Sequence, residues 1–116
     1  MESKNGIKSQ DDKQFKMLLW SIFAGSKGCI NRVKIVSKLS LAPKNTNQLS
    51  EELGLDYKVV ERHLAVLEKN KLVNKVGIRY SVTYFLSPML ESNLKLFDEV
   101  AVHSKNCNDS LQKVLS

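Results

Sequence analysis

The sequence predicts a mainly α-helical fold that carries one small β-hairpin. Apolar residues recur at helical spacing through most of the 116 residues, whereas residues 72–86 are rich in β-forming residues on both sides of a short turn. With 42% hydrophobic residues, the chain is long enough for one compact domain and one further element. We therefore expect a flexible N-terminal arm over residues 1–12, a domain over 13–87 and a C-terminal helix over 88–116.

The first two helices are predicted to be scaffold. Residues 1–12 are polar and show no periodic pattern, but apolar residues recur at helical spacing from Lys13 onwards. Trp20 lies off that apolar stripe, so it faces either a partner chain or solvent. A second helix is predicted to begin at Asn31, a good N-cap, and to stop before Pro43.

A short third helix is predicted after Lys44. Asn45, Thr46 and Asn47 are capping-type residues in front of the apolar positions of this helix, and Gly54 ends it. Such a helix start is used as a phosphate clamp in some proteins and is a plain cap in others. Both roles stay open for these residues.

A longer fourth helix follows, with Asp56 as its expected cap. Its predicted buried stripe is Val60, Leu64 and Leu67. The outward residues are then Tyr57, Lys58, Glu61, Arg62 and Lys69. A short helix, a tight turn with glycine and a second helix with a polar outer face form the arrangement that enters the major groove of DNA.

The hairpin is expected to pair Leu72–Val76 with Tyr80–Leu86 around the turn Gly77–Arg79. Arg79 would lie at the tip. A cation at this position reaches the minor groove or the DNA backbone, and the alternative is a solvated charge in a turn.

The last helix is predicted to start at Ser87 as cap and Pro88 as first residue. Its apolar positions alternate spacings of four and three: Leu90, Leu94, Phe97 and Ala101. Such a seam favours a helix that pairs with a second chain, and the alternative is packing on its own domain. We expect dimerisation through these residues and Trp20.

Charge and cysteine content limit the function classes. The net charge is +6, and residues 57–80 carry six Lys or Arg against two acidic residues, which favours a polyanionic partner near the fourth helix and the hairpin. Cys29 and Cys107 lack metal-site spacing, so we expect free thiols and no metal or cofactor. With no apolar run long enough to span a bilayer, the expected location is cytoplasmic. No set of residues supports an enzyme active site.

The segment GLDYKVVERHLAVLEKNKLV, residues 54–73, resembles the winged helix-turn-helix of ArsR-like transcriptional regulators. NQLSEELGLDY, residues 47–57, looks most like the archaeal group, and the resemblance continues through YSVTYFLSPMLE, residues 80–91. The similarity covers about two thirds of the chain. Metal-sensing members carry paired cysteines that this chain lacks, and His103 with Cys107 is a weak substitute.

The resemblance implies a homodimer on double-stranded DNA, with residues 57–70 in the major groove and the hairpin as wing. By motif position, Tyr57, Lys58, Glu61 and Arg62 face bases or phosphates. His63 is either a phosphate contact or a structural hydrogen-bonding residue. The complete set of predicted DNA contacts is Lys44, Asn45, Thr46, Asn47, Tyr57, Lys58, Glu61, Arg62, His63, Lys69, Lys75, Arg79 and Tyr80. The competing class is a winged helix used for protein contacts in a transcription assembly, and the sequence identifies no effector.

Overall fold

The computed structural model describes the backbone of residues 2–25 and 27–115, and side chains for 13–25, 27–79 and 81–104. The helices are α1 Glu2–Phe23, α2 Cys29–Leu39, α3 Thr46–Leu53, α4 Tyr57–Lys69, α5 Pro88–Glu91 and α6 Leu94–Leu115. The strands are β1 Val73–Val76 and β2 Thr83–Leu86. Two compact units result, one of Asn31–Leu94 and one of Met1–Ile30 with Lys95–Ser116. The predicted mainly helical fold with one hairpin is confirmed.

In the Asn31–Leu94 unit, local signals define α3 and α4. The Asn45 side chain accepts a hydrogen bond from the Gln48 backbone N–H, and the Gln48 side chain accepts one from the Asn45 N–H, which completes a capping box. Gly54 ends α3 in the left-handed conformation, and Asp56 caps α4. The predicted end of α3 at Gly54 and the predicted Asp56 cap of α4 are confirmed.

One apolar core holds this unit together. Its buried side chains are Ile35, Val36, Leu39, Leu49, Val60, Leu64, Leu67, Leu72, Val73, Leu86 and Leu90. The predicted stripe on α4 lies wholly within this core. Burial of that stripe fixes which face of α4 points outwards.

The hairpin strands pair antiparallel, with Val73 opposite Leu86 and Val76 opposite Thr83. Lys44 extends this sheet on the other side of β2. Its backbone N–H donates to the Tyr84 oxygen at 3.0 Å, and the Tyr84 N–H donates to the Lys44 oxygen at 2.8 Å. The chain leading into α3 is thereby attached to the wing.

Two predicted limits in this part of the chain are wrong. Helix α2 begins at Cys29 instead of Asn31, directly after Gly28, whose positive φ turns the chain. The return strand begins at Thr83 instead of Tyr80, because Arg79–Ser81 form a 3₁₀ turn. The connection between the strands is therefore longer than the predicted turn, and Tyr80 lies outside the strand.

The predicted single C-terminal helix is divided into α5 and α6. Ser87 caps α5 as expected, through a bond from the Leu90 N–H to its Oγ. Ser92 Oγ and Asn93 Nδ2 then donate to backbone oxygens of α5, at Pro88 and Met89 respectively, and so end the first helix. Leu90 thus lies on a different helix from the rest of the predicted seam.

In the second unit, aromatic pairs join α1 and α6. The rings of Phe23 and Phe97 meet edge to face with centroids 4.9 Å apart, and those of Trp20 and His103 lie 4.5 Å apart. Helix α1 runs back to Glu2, whereas the sequence predicts an arm over 1–12. The side chains of that arm and the thiol of Cys107 lie outside the described residues, so the predicted flexibility stays a prediction.

Candidate nucleic-acid interface

The outer face of α4 is the centre of the candidate interface. Tyr57, Lys58, Glu61, Arg62 and Lys69 are all exposed, as the helical spacing predicts. The core lies under the opposite face of the same helix. A rigid helix therefore presents three cations, one phenol and one carboxylate to solvent.

The cations near this face divide into paired and unpaired groups. Lys75 Nζ lies 3.5 Å from a Glu68 carboxylate oxygen. Among the described side chains, no carboxylate pairs with Lys58, Arg62, Lys69 or Arg79. These unpaired cations are available to an anionic ligand without first leaving a partner.

Lys44, predicted as a phosphate contact, is engaged by Glu52. Its Nζ lies 3.2 Å from Glu52 Oε2, and Lys38 Nζ lies 3.5 Å from the other oxygen of the same carboxylate. The hydrogen bond from Lys44 is the main cause of a lowered pKa at Glu52, with the charges of both lysines acting in the same direction. Glu52 thus neutralises part of the positive charge in front of α3.

The start of α3 and the wing border one cleft. It has a volume of about 310 Å³ and is lined by Asn45, Thr46, Asn47, Tyr57, Arg79 and Val82. Five of these six residues belong to the DNA contacts predicted from sequence. The structure brings them together from α3, α4 and the wing, which the sequence order alone does not reveal.

The polar side chains at the start of α3 are already partly used. Asn45 Oδ1 accepts the capping bond from Gln48 at 2.7 Å, and Asn47 Nδ2 donates to Glu51 at 2.9 Å. Thr46 is buried. Asn47 is therefore the member of this trio that is exposed enough to contact a large ligand.

His63 lies at the edge of the core and is half-buried. Burial lowers the pKa of its imidazole, and the positive charges of Arg32 and Arg62 lower it further. The imidazole is therefore neutral at pH 7. Both predicted roles stay open, because a neutral imidazole N–H can donate a hydrogen bond to a phosphate or to a neighbouring group.

Tyr84 belongs to the candidate interface although it was not among the predicted contacts. It lies opposite Lys75 on β1 and opposite Lys44 on its other side, so these three side chains form a row across the sheet. Burial raises the pKa of its phenol, and the nearby carboxylates of Glu68 and Glu61 add to that rise while Lys75 opposes it. This row follows from the strand register and could not be predicted from the sequence alone.

Among the described residues, no three His, Cys, Asp or Glu side chains come together as a possible metal site. Within the same part of the chain, no helix combines the length and hydropathy needed to cross a membrane.

A short capped helix, a second helix with an outward cationic face and an attached hairpin define a winged helix-turn-helix protein. Residues 30–75 match the family described as bacterial regulatory protein, arsR family. This match covers all but the first residue of α2, all of α3 and α4, and most of β1. The description of this family is that of regulatory proteins.

Solved structures of transcriptional regulators share the fold. Reduced HlyU from Vibrio cholerae N16961 is 21% identical, with a TM-score of 0.60 over 80% of this chain and 96% of that chain. The transcriptional regulator HlyU from Vibrio vulnificus CMCP6 is 22% identical, with a TM-score of 0.59 over 86% and 98%. The PcaV transcriptional regulator from Streptomyces coelicolor is 17% identical, with a TM-score of 0.56 over 96% and 79%. No protein with a curated description matches the sequence.

Proposed function

We propose that the protein is a sequence-specific regulator of transcription that binds double-stranded DNA as a homodimer. Residues 57–70 occupy the major groove, and the wing, residues 72–86, contacts the adjacent backbone or minor groove. The observation that carries this proposal is the set of unpaired cations on the exposed face of α4. Such cations attract phosphates and replace condensed counterions.

The contacts divide by chemistry. Arg62 is suited to a bidentate bond with guanine, and Glu61 to accepting a hydrogen bond from the N4 amino group of cytosine. Lys69 and Arg79 are suited to phosphate, because a point charge at the edge of the surface positions the protein without reading sequence. Lys44 and Lys75 contribute less, since each already has a carboxylate partner.

The family match supports a regulator, and the shared fold supports the assignment of α4 and the wing to DNA. The PcaV structure was solved with its natural ligand. We propose no effector class for the present chain. The archaeal resemblance and the cytoplasmic location stay predictions.

Selection of duplexes from a random pool with the purified protein tests this function. We expect enrichment of a two-fold-symmetric site, since a symmetric dimer reads two identical half-sites. A salt titration on the enriched duplex should show a steep linear fall of log affinity with log salt. Failure to enrich any site, together with negligible binding at low salt, would contradict the proposal.

Glu61 favours a second candidate function, a winged helix that contacts other proteins in a transcription assembly. Its exposed carboxylate lies in the middle of the cationic face and repels phosphate. In that case the salt titration would show negligible DNA binding at moderate salt. The two candidates are separated by this single measurement.

A further inference from the structure

The wing tip, defined as Val76 to Arg79, presents apolar side chains to solvent. Ile78 is 80% exposed and Val76 is 60% exposed. Among the described residues, Ile78 is the most exposed large hydrophobic residue, followed by Leu41 at 78% and Met17 at 67%. An exposed aliphatic side chain gains most free energy when a partner covers it.

The backbone of the wing tip forms a tight turn. Gly77 has a φ of +106°, and a Cβ added there would lie 1.9 Å from the Ser81 carbonyl oxygen. The Ser81 N–H donates to the Ile78 oxygen at 3.1 Å, which closes the turn. The wing tip is therefore a tight turn, and Ile78 projects from it into solvent.

A cation adjoins this apolar projection. Arg79 follows Ile78 directly and has no carboxylate partner among the described side chains. It also borders the cleft with Asn47 and Tyr57, so the wing tip is continuous with the candidate interface. An aliphatic side chain beside an unpaired guanidinium matches the minor groove, which combines negative potential with sugar and base edges.

We propose that Ile78 enters the minor groove beside Arg79 and selects A·T over G·C base pairs at that position. Guanine places an N2 amino donor in the minor groove, whereas A·T pairs present only acceptors there. An isoleucine over that amino group removes its water and offers no acceptor, which is unfavourable. This inference rests on the proposed DNA-binding function and adds a specificity residue that carries no charge.

The test uses the full chain and the duplex enriched by selection. Each base pair that flanks the half-site is changed in turn. A·T is compared with G·C and with inosine·C, which lacks the N2 amino group but keeps the major-groove edge of G·C. For the wild type we expect G·C to weaken binding about five- to tenfold at the wing position, and inosine·C to restore it.

Ile78→Ser should abolish this discrimination and lower affinity for the A·T duplex about fivefold, because the apolar contact is lost. The dependence of affinity on salt should not change. Arg79→Ala should instead reduce the slope against log salt by about one. Leu41→Ser is the matched control, since it removes an equally exposed aliphatic side chain, and it should leave both quantities unchanged.

The contrary outcomes are distinct. A wild type that binds no duplex overturns the proposed function and this inference with it. If the wild type binds its selected site but the A·T preference is retained in Ile78→Ser, then Ile78 does not select base pairs. In that case the proposed function stands, and the wing tip would instead contact a protein partner. The role of Ile78 is also overturned if inosine·C weakens binding as much as G·C does, or if Leu41→Ser has the same effect as Ile78→Ser.

Discussion

Arg62 and Lys69 are both exposed cations on α4, but they are expected to act differently. Arg62 lies near the middle of the helix, and Lys69 is its last residue. Under the proposed function, Arg62 would contact a base edge and Lys69 a backbone phosphate, so we expect specificity from the first and general affinity from the second.

Arg62→Ala should weaken binding to the selected site by about 1 to 3 kcal/mol while changing the affinity for random duplex much less. Lys69→Ala is the control, and it should weaken both duplexes alike because it loses only a phosphate contact. Fluorescence anisotropy on the two duplexes at fixed salt measures the difference. Equal losses on both duplexes for Arg62→Ala would remove its proposed role in base recognition.

His63 makes folding stability depend on pH. Its pKa in the folded protein is below the ordinary value of 6.5, because burial and then the charges of Arg32 and Arg62 disfavour the imidazolium. The unfolded chain therefore takes up a proton more readily than the folded chain. The corresponding stability is fully present above about pH 6.5 and is lost as the pH falls towards the folded-state pKa.

We expect the thermal midpoint of the wild type to decrease between pH 7.5 and 5.5, and His63→Gln to show a smaller decrease. His103→Gln serves as the control and should keep most of the wild-type dependence. Circular dichroism melts over this range measure the effect. Parallel curves for the wild type and His63→Gln would contradict the assignment.

At the scale of secondary-structure elements, Glu52 joins α3 to the residues in front of it. Its carboxylate holds Lys38 near the end of α2 and Lys44 in the turn before α3. Both lysines would otherwise add to the positive charge near the interface. This acidic residue is expected to moderate non-specific DNA binding.

Glu52→Gln should raise the affinity for random duplex and steepen its dependence on log salt by up to about two, because two cations are released. Glu51→Gln makes the same change in net charge, but Glu51 accepts a hydrogen bond from Asn47 and pairs with no lysine among the described side chains. A salt titration of both variants separates the local effect from net charge. Identical behaviour of the two would show that Glu52 does not restrain the lysines.

The elements that sequence predicts well are those specified locally. Gly54 at the end of α3, the Asp56 cap and the periodic stripe on α4 lie within a few residues of the structure that they determine, so all three were predicted correctly. The wing tip was not, because Arg79 adopts a positive φ and begins a 3₁₀ turn, which its residue type does not indicate. Pairs such as Lys44 with Glu52 depend on tertiary contacts and leave no periodic signal.

At the scale of the whole molecule, some residues of the predicted dimer seam are buried within the single chain. Leu90 lies on α5 and is fully buried within one chain, and Phe97 is buried against Phe23. Neither side chain is free to form an exposed seam. Leu94 and Ala101 are half-buried and Trp20 is partly exposed beside His103, so these three remain the candidate contacts with a second chain.

Ala101 and Val102 offer a matched test of dimerisation, because they are neighbours on α6 and only Ala101 belongs to the predicted seam. Ala101→Glu should convert the dimer to a monomer, since a carboxylate buried at the seam would have no partner. It should also reduce operator affinity strongly, because two linked half-sites bind through effective concentration. Val102→Glu makes the same chemical change at a position that is exposed in the single chain, and should leave the dimer intact.

Sedimentation velocity measures the oligomeric state, and melting curves check that both variants fold. A monomeric wild type, or dissociation by Val102→Glu alone, would exclude this face of α6 as the interface.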